Sequence, residues 1–309
     1  MKPRLSNHGP AVLAVALTGL LMAALTMACG SDGAAEAPTL PPSVTPTDPP
    51  TATPTTPPTA TPIPEVTPDP ADRAVVVGSN INVWAEPRTG SGSLRVLQQG
   101  DVVTIVGEVA GQDWVIDGQS WNIAAQPWQD SWFEIERGGY VYSAWLYQPG
   151  EGETLPGELP LGERWLAVDT TNQVLTFYVG ETAYFTADVS TGKPGYETPL
   201  GSWRVHTRYE DETMSSAGQG YPESEQYLVE HVLFTQYFSN SGHALHLNYW
   251  RPLDVFGETA TSHGCVGLLL HDAQWLWLAG DGHDLRIEIG GTQTSGLTAS
   301  GDPTRPGGP

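Results

Sequence analysis

Residues 38–70, PTLPPSVTPTDPPTATPTTPPTATPIPEVTPDP, hold 13 prolines and 10 threonines, with TATP occurring twice. Proline gives no backbone donor to a sheet, and such a stretch has too few apolar side chains to bury a core. It therefore reads as an extended, polyproline-like stalk. At ~3.1 Å per residue a stalk of this length reaches on the order of 100 Å. Any packed core must be built mainly from the chain that follows.

The first residues read differently. Lys2 and Arg4 give a positive start, and Ala11 to Thr26 form an apolar run too short for a comfortable membrane span. The run ends in LTMAC, small residues leading into Cys29. The expectation is an export signal over 1–28 and a Pro/Thr-rich tether over 29–72. The site resembles a lipobox, where Cys29 would be lipidated; simple cleavage after Ala28 is the alternative. Both readings put the mature chain outside the cytoplasm, and the lipobox reading holds it in the cell envelope with a lipid anchor as its only membrane contact.

The chain has a formal net charge of −22, from 13 basic and 35 acidic residues. No basic footprint exists for nucleic acid or for anionic lipid. With Cys29 lipidated or removed, Cys265, the other of the two cysteines, has no disulfide partner. A leftover thiol in an exported protein is either an inert core residue or a reactive group.

Residues 73–149 consist of short β-branched and aromatic runs split by Gly, Asn, Asp and Pro, which predicts a small all-β barrel. The runs NINVWAEP, GDVVTIVGE and SWFEIERGGYVYSAWL resemble the bacterial SH3-like domains found beside cell-wall enzymes. An insertion around GQSWNIAAQPW lengthens the pattern. Six of the 11 tryptophans fall in this unit, at 84, 114, 121, 128, 132 and 145. Core packing is the commoner use of Trp, and stacking on glycan or stem peptide is the other.

A Gly/Pro/Glu connector over 150–162 leads to a second β-rich unit, 163–290. RWLAVDTTNQVLTFYVG predicts a hairpin turning at Thr171 and Asn172, and TAYFTADVSTG, GSWRVHTRY and DLRIEIG predict further strands. HDAQWLWLAGDG predicts the one main helix, with Asp272 in its first turn and Gly280 at its C-terminal cap. Residues 209–226 are polar and turn-rich and predict a flap. The tail 291–309 predicts disorder. GHALHLNYW, 242–250, alternates as a strand, with His246, Asn248 and Trp250 on a face too polar for a core. That face predicts a groove around His246.

Fifteen residues separate His246 from Ser262, after which the chain reads Ser-His-Gly-Cys. This resembles the signature of the L,D-transpeptidase (YkuD-type) catalytic domain. VDTTNQVLTFYVG with VSTGKPGYETPLGSW resembles that family's opening, and FGETATSHGCVGLLLHDAQWLW its close. The resemblance implies Cys265 as nucleophile and His246 as general base, poised through the backbone carbonyl of Leu247. The backbone N–H groups of His263, Gly264 and Cys265 are implied as the oxyanion donors, with Ser262 and His263 shaping the site. It matches Trp250 and Met214 to substrate-facing positions. It implies peptidoglycan stem peptides as substrate, acylation by carbapenems and no cofactor. The family usually carries Asn or Arg after Cys-Val, and this chain has Gly267.

Other readings stay open at this point. L,D-carboxypeptidase activity would use the same residues, whereas a degenerate wall-binding protein would keep its function without Cys265. A papain-like peptidase needs its histidine after the cysteine, where only His271 and His283 stand. A zinc site would draw on His243, His246, His263 and Cys265, yet residues three apart on a strand face opposite sides. No metal is therefore expected.

Overall fold

The computed structural model describes residues 72–113, 126–217, 220 and 222–292. The expected export signal, the tether with Cys29, the first part of the 118–128 insertion and the tail from 293 lie outside the described residues.

Seven short strands form the first sheet: β1 (Arg73–Val76), β2 (Ile81–Trp84), β3 (Ser93–Leu97), β4 (Val102–Ala110), β5 (Ser131–Ile135), β6 (Tyr140–Tyr142) and β7 (Leu146–Tyr147). Their order is β3-β2-β6-β5-β4-β1-β7, with every pair antiparallel. Val76, Val83, Ile135 and Val141, fully buried, make the centre of a small core.

The second sheet has nine strands: β8 (Arg164–Asp169), β9 (Val174–Val179), β10 (Thr182–Ser190), β11 (Gly201–Arg204), β12 (Thr207–Ser215), β13 (Leu228–Tyr237), β14 (Ala244–Leu247), β15 (Val266–Leu268) and β16 (Arg286–Gly290). The fold is mainly β, and the one α-helix among the described residues is α1 (Leu270–Ala279). In β8 and β9 every second residue is inward, with Leu166, Val168, Leu175 and Phe177 buried, as half-buried strands require. Asp169 shapes the turn between them: its Oδ1 accepts the Thr171 N–H at 2.9 Å and the Asn172 N–H at 3.2 Å. The bond from the Asn172 side chain first, then these backbone bonds, holds the Asp169 carboxyl below the usual carboxylate range.

Strand order in this sheet is β11-β16-β8-β9-β10-β15-β14-β13-β12. Only Val205 and His206 separate β11 from β12, yet these two strands are its opposite edges. The sheet must therefore curl until its edges meet. The two linking residues bridge them, Val205 N–H donating to Leu285 C=O and His206 N–H to Tyr237 C=O.

α1 is apolar nearly all round, which marks a helix enclosed on several sides. Trp275 stacks on Phe185 at 4.2 Å and meets Phe177 edge-on at 5.0 Å. Burying a side chain as large as Phe contributes ~1.5–3 kcal/mol. On another side Gln274 Nε2 donates to the carbonyl of Ala144, at 2.8 Å, in the turn between β6 and β7. The connector also packs: Leu159 joins the core, and the Thr154 carbonyl accepts the Trp275 indole N–H at 3.0 Å.

Two expectations are corrected. GSWRVHTRY is not one strand but parts of two, broken at Val205 and His206. Residues 209–226 are not a loop-like flap: their first part is β12, paired along its length with β13, and only the tip at 216–227 leaves the ladder. Of that tip, 218, 219 and 221 are outside the described residues.

Candidate active site

β14 and β15 are parallel neighbours, with Leu245 opposite Val266, His246 opposite Gly267 and Leu247 opposite Leu268. Paired residues share a face, and the side-chain period along a strand is two. Ala244 and His246 on one strand thus share a face with Cys265 and Gly267 around the other. A sequence separation of 19 residues collapses to one step across a sheet.

His246 is fully buried, so the expected groove is instead a sealed site. Its Nδ1 lies 2.8 Å from the Leu247 carbonyl oxygen. A carbonyl only accepts, so the proton sits on Nδ1 and the lone pair on Nε2. Nε2 makes no hydrogen bond. Burial pushes the imidazole down to about 4, against the Leu247 bond that raises it. The ring is neutral at neutral pH and holds a lone pair on the face that carries Cys265. Trp250 stacks on it at 5.5 Å with planes 14° apart.

Cys265 forms no disulfide, and its thiol is fully buried. Its Sγ accepts the Ala244 N–H at 3.3 Å and lies 3.7 Å from the Gly242 carbonyl oxygen. No hydrogen bond joins Sγ to His246 in this closed state.

The turn before Cys265 is closed by Ser262. Its hydroxyl donates to the Cys265 carbonyl at 2.6 Å and accepts the Gly264 N–H at 3.0 Å. The Gly264 N–H is therefore engaged by Ser262 rather than directed at a substrate oxygen. Gly264 has φ +119°, and a β-carbon there would stand 2.6 Å from the His243 ring. Only glycine satisfies both conditions. His243 supports the turn from beneath, its Nδ1 2.8 Å from Ser239 Oγ.

The tip between β12 and β13 reaches the same turn. Glu225 Oε2 lies 2.8 Å from His263 Nε2 and 2.6 Å from Lys193 Nζ. The Lys193 bond first, then that of His263, holds the Glu225 carboxyl below its ordinary range. Tyr196 meets the His263 ring edge-on at 4.7 Å, and Tyr227 lies 5.6 Å from it. Met214 is buried in the hydrophobic core and pairs with Val229 in the hairpin. A cavity of about 330 Å³ beside this turn, lined among others by Thr191, Gly192, Thr198 and Ala260, includes neither Cys265 nor His246.

Sequence reasoning missed Glu225, Lys193 and the supporting role of His243. Lys193 stands in the STGKPG run that the resemblance uses, whereas Glu225 carries no signal beyond its charge. Among the described residues no three His, Cys, Asp or Glu side chains are grouped to hold a metal ion.

Residues 163–281 match the family model of the L,D-transpeptidase catalytic domain, YkuD. Probable L,D-transpeptidase 3 of Mycobacterium tuberculosis is 32% identical over 94 residues, which are 30% of this chain and 34% of that protein. The chain thus spans about a third of the length of that curated relative. An L,D-transpeptidase from Mycobacterium smegmatis is similar in structure with a TM-score of 0.38 at 16% identity, over 70% of this chain and 99% of that one. L,D-transpeptidase 3 from Mycobacterium tuberculosis in complex with a faropenem-derived adduct gives 0.37 at 15% identity, over 69% and 94%.

Proposed function

We propose that residues 163–290 are a peptidoglycan L,D-transpeptidase that forms 3→3 crosslinks through a thioester on Cys265. The observation that carries this reading is the pairing of β14 with β15. It sets a neutral, Nδ1-protonated His246 and the thiol of Cys265, which forms no disulfide, on one buried face, within a stretch that matches the family model.

A thiol attacks an amide well only as thiolate, so it needs a base beside it. His246 Nε2 takes the proton from Sγ, and the sulfur attacks the carbonyl carbon of the third residue of a tetrapeptide stem. The backbone N–H groups of His263 and Cys265 stabilise the oxyanion. The intermediate collapses, the C–N bond breaks, and the leaving D-alanine amine takes the proton from His246. An amine of a second stem then attacks the thioester and gives up a proton to His246. The C–S bond breaks and the proton returns to sulfur. The reaction needs no cofactor.

The seven-stranded sheet serves as an SH3-like domain that holds the enzyme against glycan or stem peptide. Its support is the sequence resemblance and the antiparallel sheet of short strands. The chain is exported and tethered through Cys29 and the proline stalk. That reading rests on the N-terminal sequence; among the described residues no helix is long and apolar enough to cross a membrane. Carbapenems acylate Cys265, in keeping with a solved similar structure named as a complex with imipenem.

The test is incubation of the full chain with purified tetrapeptide muropeptides, with the products weighed by mass spectrometry. Crosslinked dimers with loss of one D-alanine support transpeptidation. Loss of D-alanine without dimers means a carboxypeptidase, and unchanged muropeptides mean a wall-binding protein.

A further inference from the structure

The orientation of the His246 ring depends on two neighbours, the Leu247 carbonyl and the Trp250 ring. Both belong to the short stretch that leaves β14. The sheet holds its beginning through Asn248 N–H, which donates to Leu268 C=O at 2.9 Å. Beyond that point the chain turns through Tyr249 and Trp250 and needs another anchor.

The anchor comes from the segment that leads into the other sheet. Gln126, in the segment before β5, is only 3% exposed. Its Nε2 donates to the Asn248 carbonyl at 3.2 Å and to the Arg251 carbonyl at 3.1 Å, one at each end of the turn. Its Oε1 accepts the Trp128 indole N–H at 2.9 Å. An indole N–H only donates, so this bond fixes which end of the carboxamide is oxygen and which is nitrogen. Both N–H donors and one oxygen lone pair of the side chain are then in use. Trp128 also meets Tyr249 edge-on at 6.5 Å, and Tyr249 donates to the Glu230 carbonyl at 2.6 Å. Glutamate could not replace Gln126, because a carboxylate would face two carbonyl oxygens with no proton to give.

We propose that Gln126 is a positioning residue for the reaction. It reaches from the segment before β5 to staple the 248–251 turn, and through that turn it fixes the tautomer and tilt of His246. The first sheet is then a working part of the enzyme as well as a spacer. This inference rests on the reading of His246 as the base for Cys265.

The test uses the full chain with Gln126→Ala, Gln126→Glu and Trp128→Phe, the last removing the N–H that orients the carboxamide while keeping an aromatic ring, though a smaller one. The ¹⁵N signals of the His246 ring report its tautomer without any substrate, and iodoacetamide alkylation of Cys265 against pH reports activation of the thiol. In Gln126→Ala the two ring nitrogens should move toward each other as the tautomer becomes mixed, and the alkylation profile should shift. With tetrapeptide substrate, kcat should fall on the order of 10-fold, with KM nearly unchanged, as expected for a misplaced catalytic group. Gln126→Glu should behave like the alanine variant, and Trp128→Phe should move the same readouts less far. A folded Gln126→Ala chain with the parent's ring signals and alkylation profile overturns the inference, even if its melting temperature drops. If Gln126→Ala does not fold, unchanged readouts in Trp128→Phe overturn it. A parent that crosslinks nothing would count against the transpeptidase reading, while the ring signals still decide the role of Gln126.

Discussion

The carboxamide of Asn248 occupies the space above Gly267: Asn248 Nδ2 lies 2.7 Å, and its Cβ 2.9 Å, from where a β-carbon on Gly267 would stand. Gly267 is opposite His246 in the sheet, so the Asn248 side chain lies on the same face as the base and the thiol. Where the family resemblance places Asn or Arg after Cys-Val, the Asn248 side chain fills the corresponding space from the end of the neighbouring strand.

This exchange predicts a specific epistasis. Gly267→Asn alone should clash with Asn248 and cost ~1–3 kcal/mol, as overpacking does. The pair Gly267→Asn with Asn248→Gly should recover much of that loss. Urea unfolding of the three variants measures it. A single Gly267→Asn variant as stable as the parent would show that the two side chains do not compete for this space.

The buried imidazole predicts an acid-sensitive component of stability. Burial pushes His246 down to about 4, whereas a histidine in an unfolded chain titrates near about 6.5. Between those values the unfolded chain binds a proton that the folded chain refuses. The stabilisation is fully present above the unfolded value and is lost as pH falls through this window, by ~3 kcal/mol at most. Relative to His246→Gln, the parent should lose stability steadily from pH 7 to 4. A constant difference across that range would mean the ring is not held neutral.

Glu225 predicts how firmly the hairpin tip is held against the turn before Cys265. Its carboxylate ties the hairpin tip to Lys193 and His263, with the Lys193 and Glu225 side chains 29% and 32% exposed. Glu225→Gln removes the charge and keeps the shape. A partly exposed pair is worth up to about 1 kcal/mol, so opening should become ~5-fold more frequent. Amide exchange at Ser216 and Tyr227, which bond to each other across the tip, should quicken accordingly, as should alkylation of buried Cys265. Parent-like exchange and alkylation would remove the latch from the account.

How much of this was legible in the sequence follows from the physics of each part. β8 and β9 were legible because their side chains alternate strictly and Asp169-Thr-Thr-Asn announces the turn. β13 was missed because LVEHVLFTQY breaks the period of two. His231 and Phe234 have positive φ, 54° and 59°, and from Val232 to Gln236 every residue is buried. The end of β14 was misplaced because Asn248, Tyr249 and Trp250 continue its alternation while the chain already turns. His246 and the Ser262–Cys265 run stood out because a fixed spacing carried them. Contacts between distant segments leave no such pattern. Nothing local marks Gln126 as the partner of Asn248 and Arg251, or Glu225 as the partner of Lys193 and His263.

His263→Ala predicts a mild loss. The proposed catalytic contribution of His263 is a backbone N–H that alanine retains, so turnover should survive while the bond to Glu225 is lost. His246→Ala should come close to abolishing turnover, since the thiol loses its base. Parallel rate measurements on the two variants would contradict the assignment of roles if His263→Ala were the more damaging.

The most direct test of the central claim is to trap the acyl-enzyme. The full chain is mixed with a tetrapeptide stem and quenched, and the adduct is mapped by mass spectrometry. The account predicts a stem tripeptide joined as a thioester to the fragment containing Cys265, and neither adduct nor crosslink from a folded Cys265→Ala chain. Crosslinking by Cys265→Ala at the parent's rate, or an adduct on another residue, would contradict it.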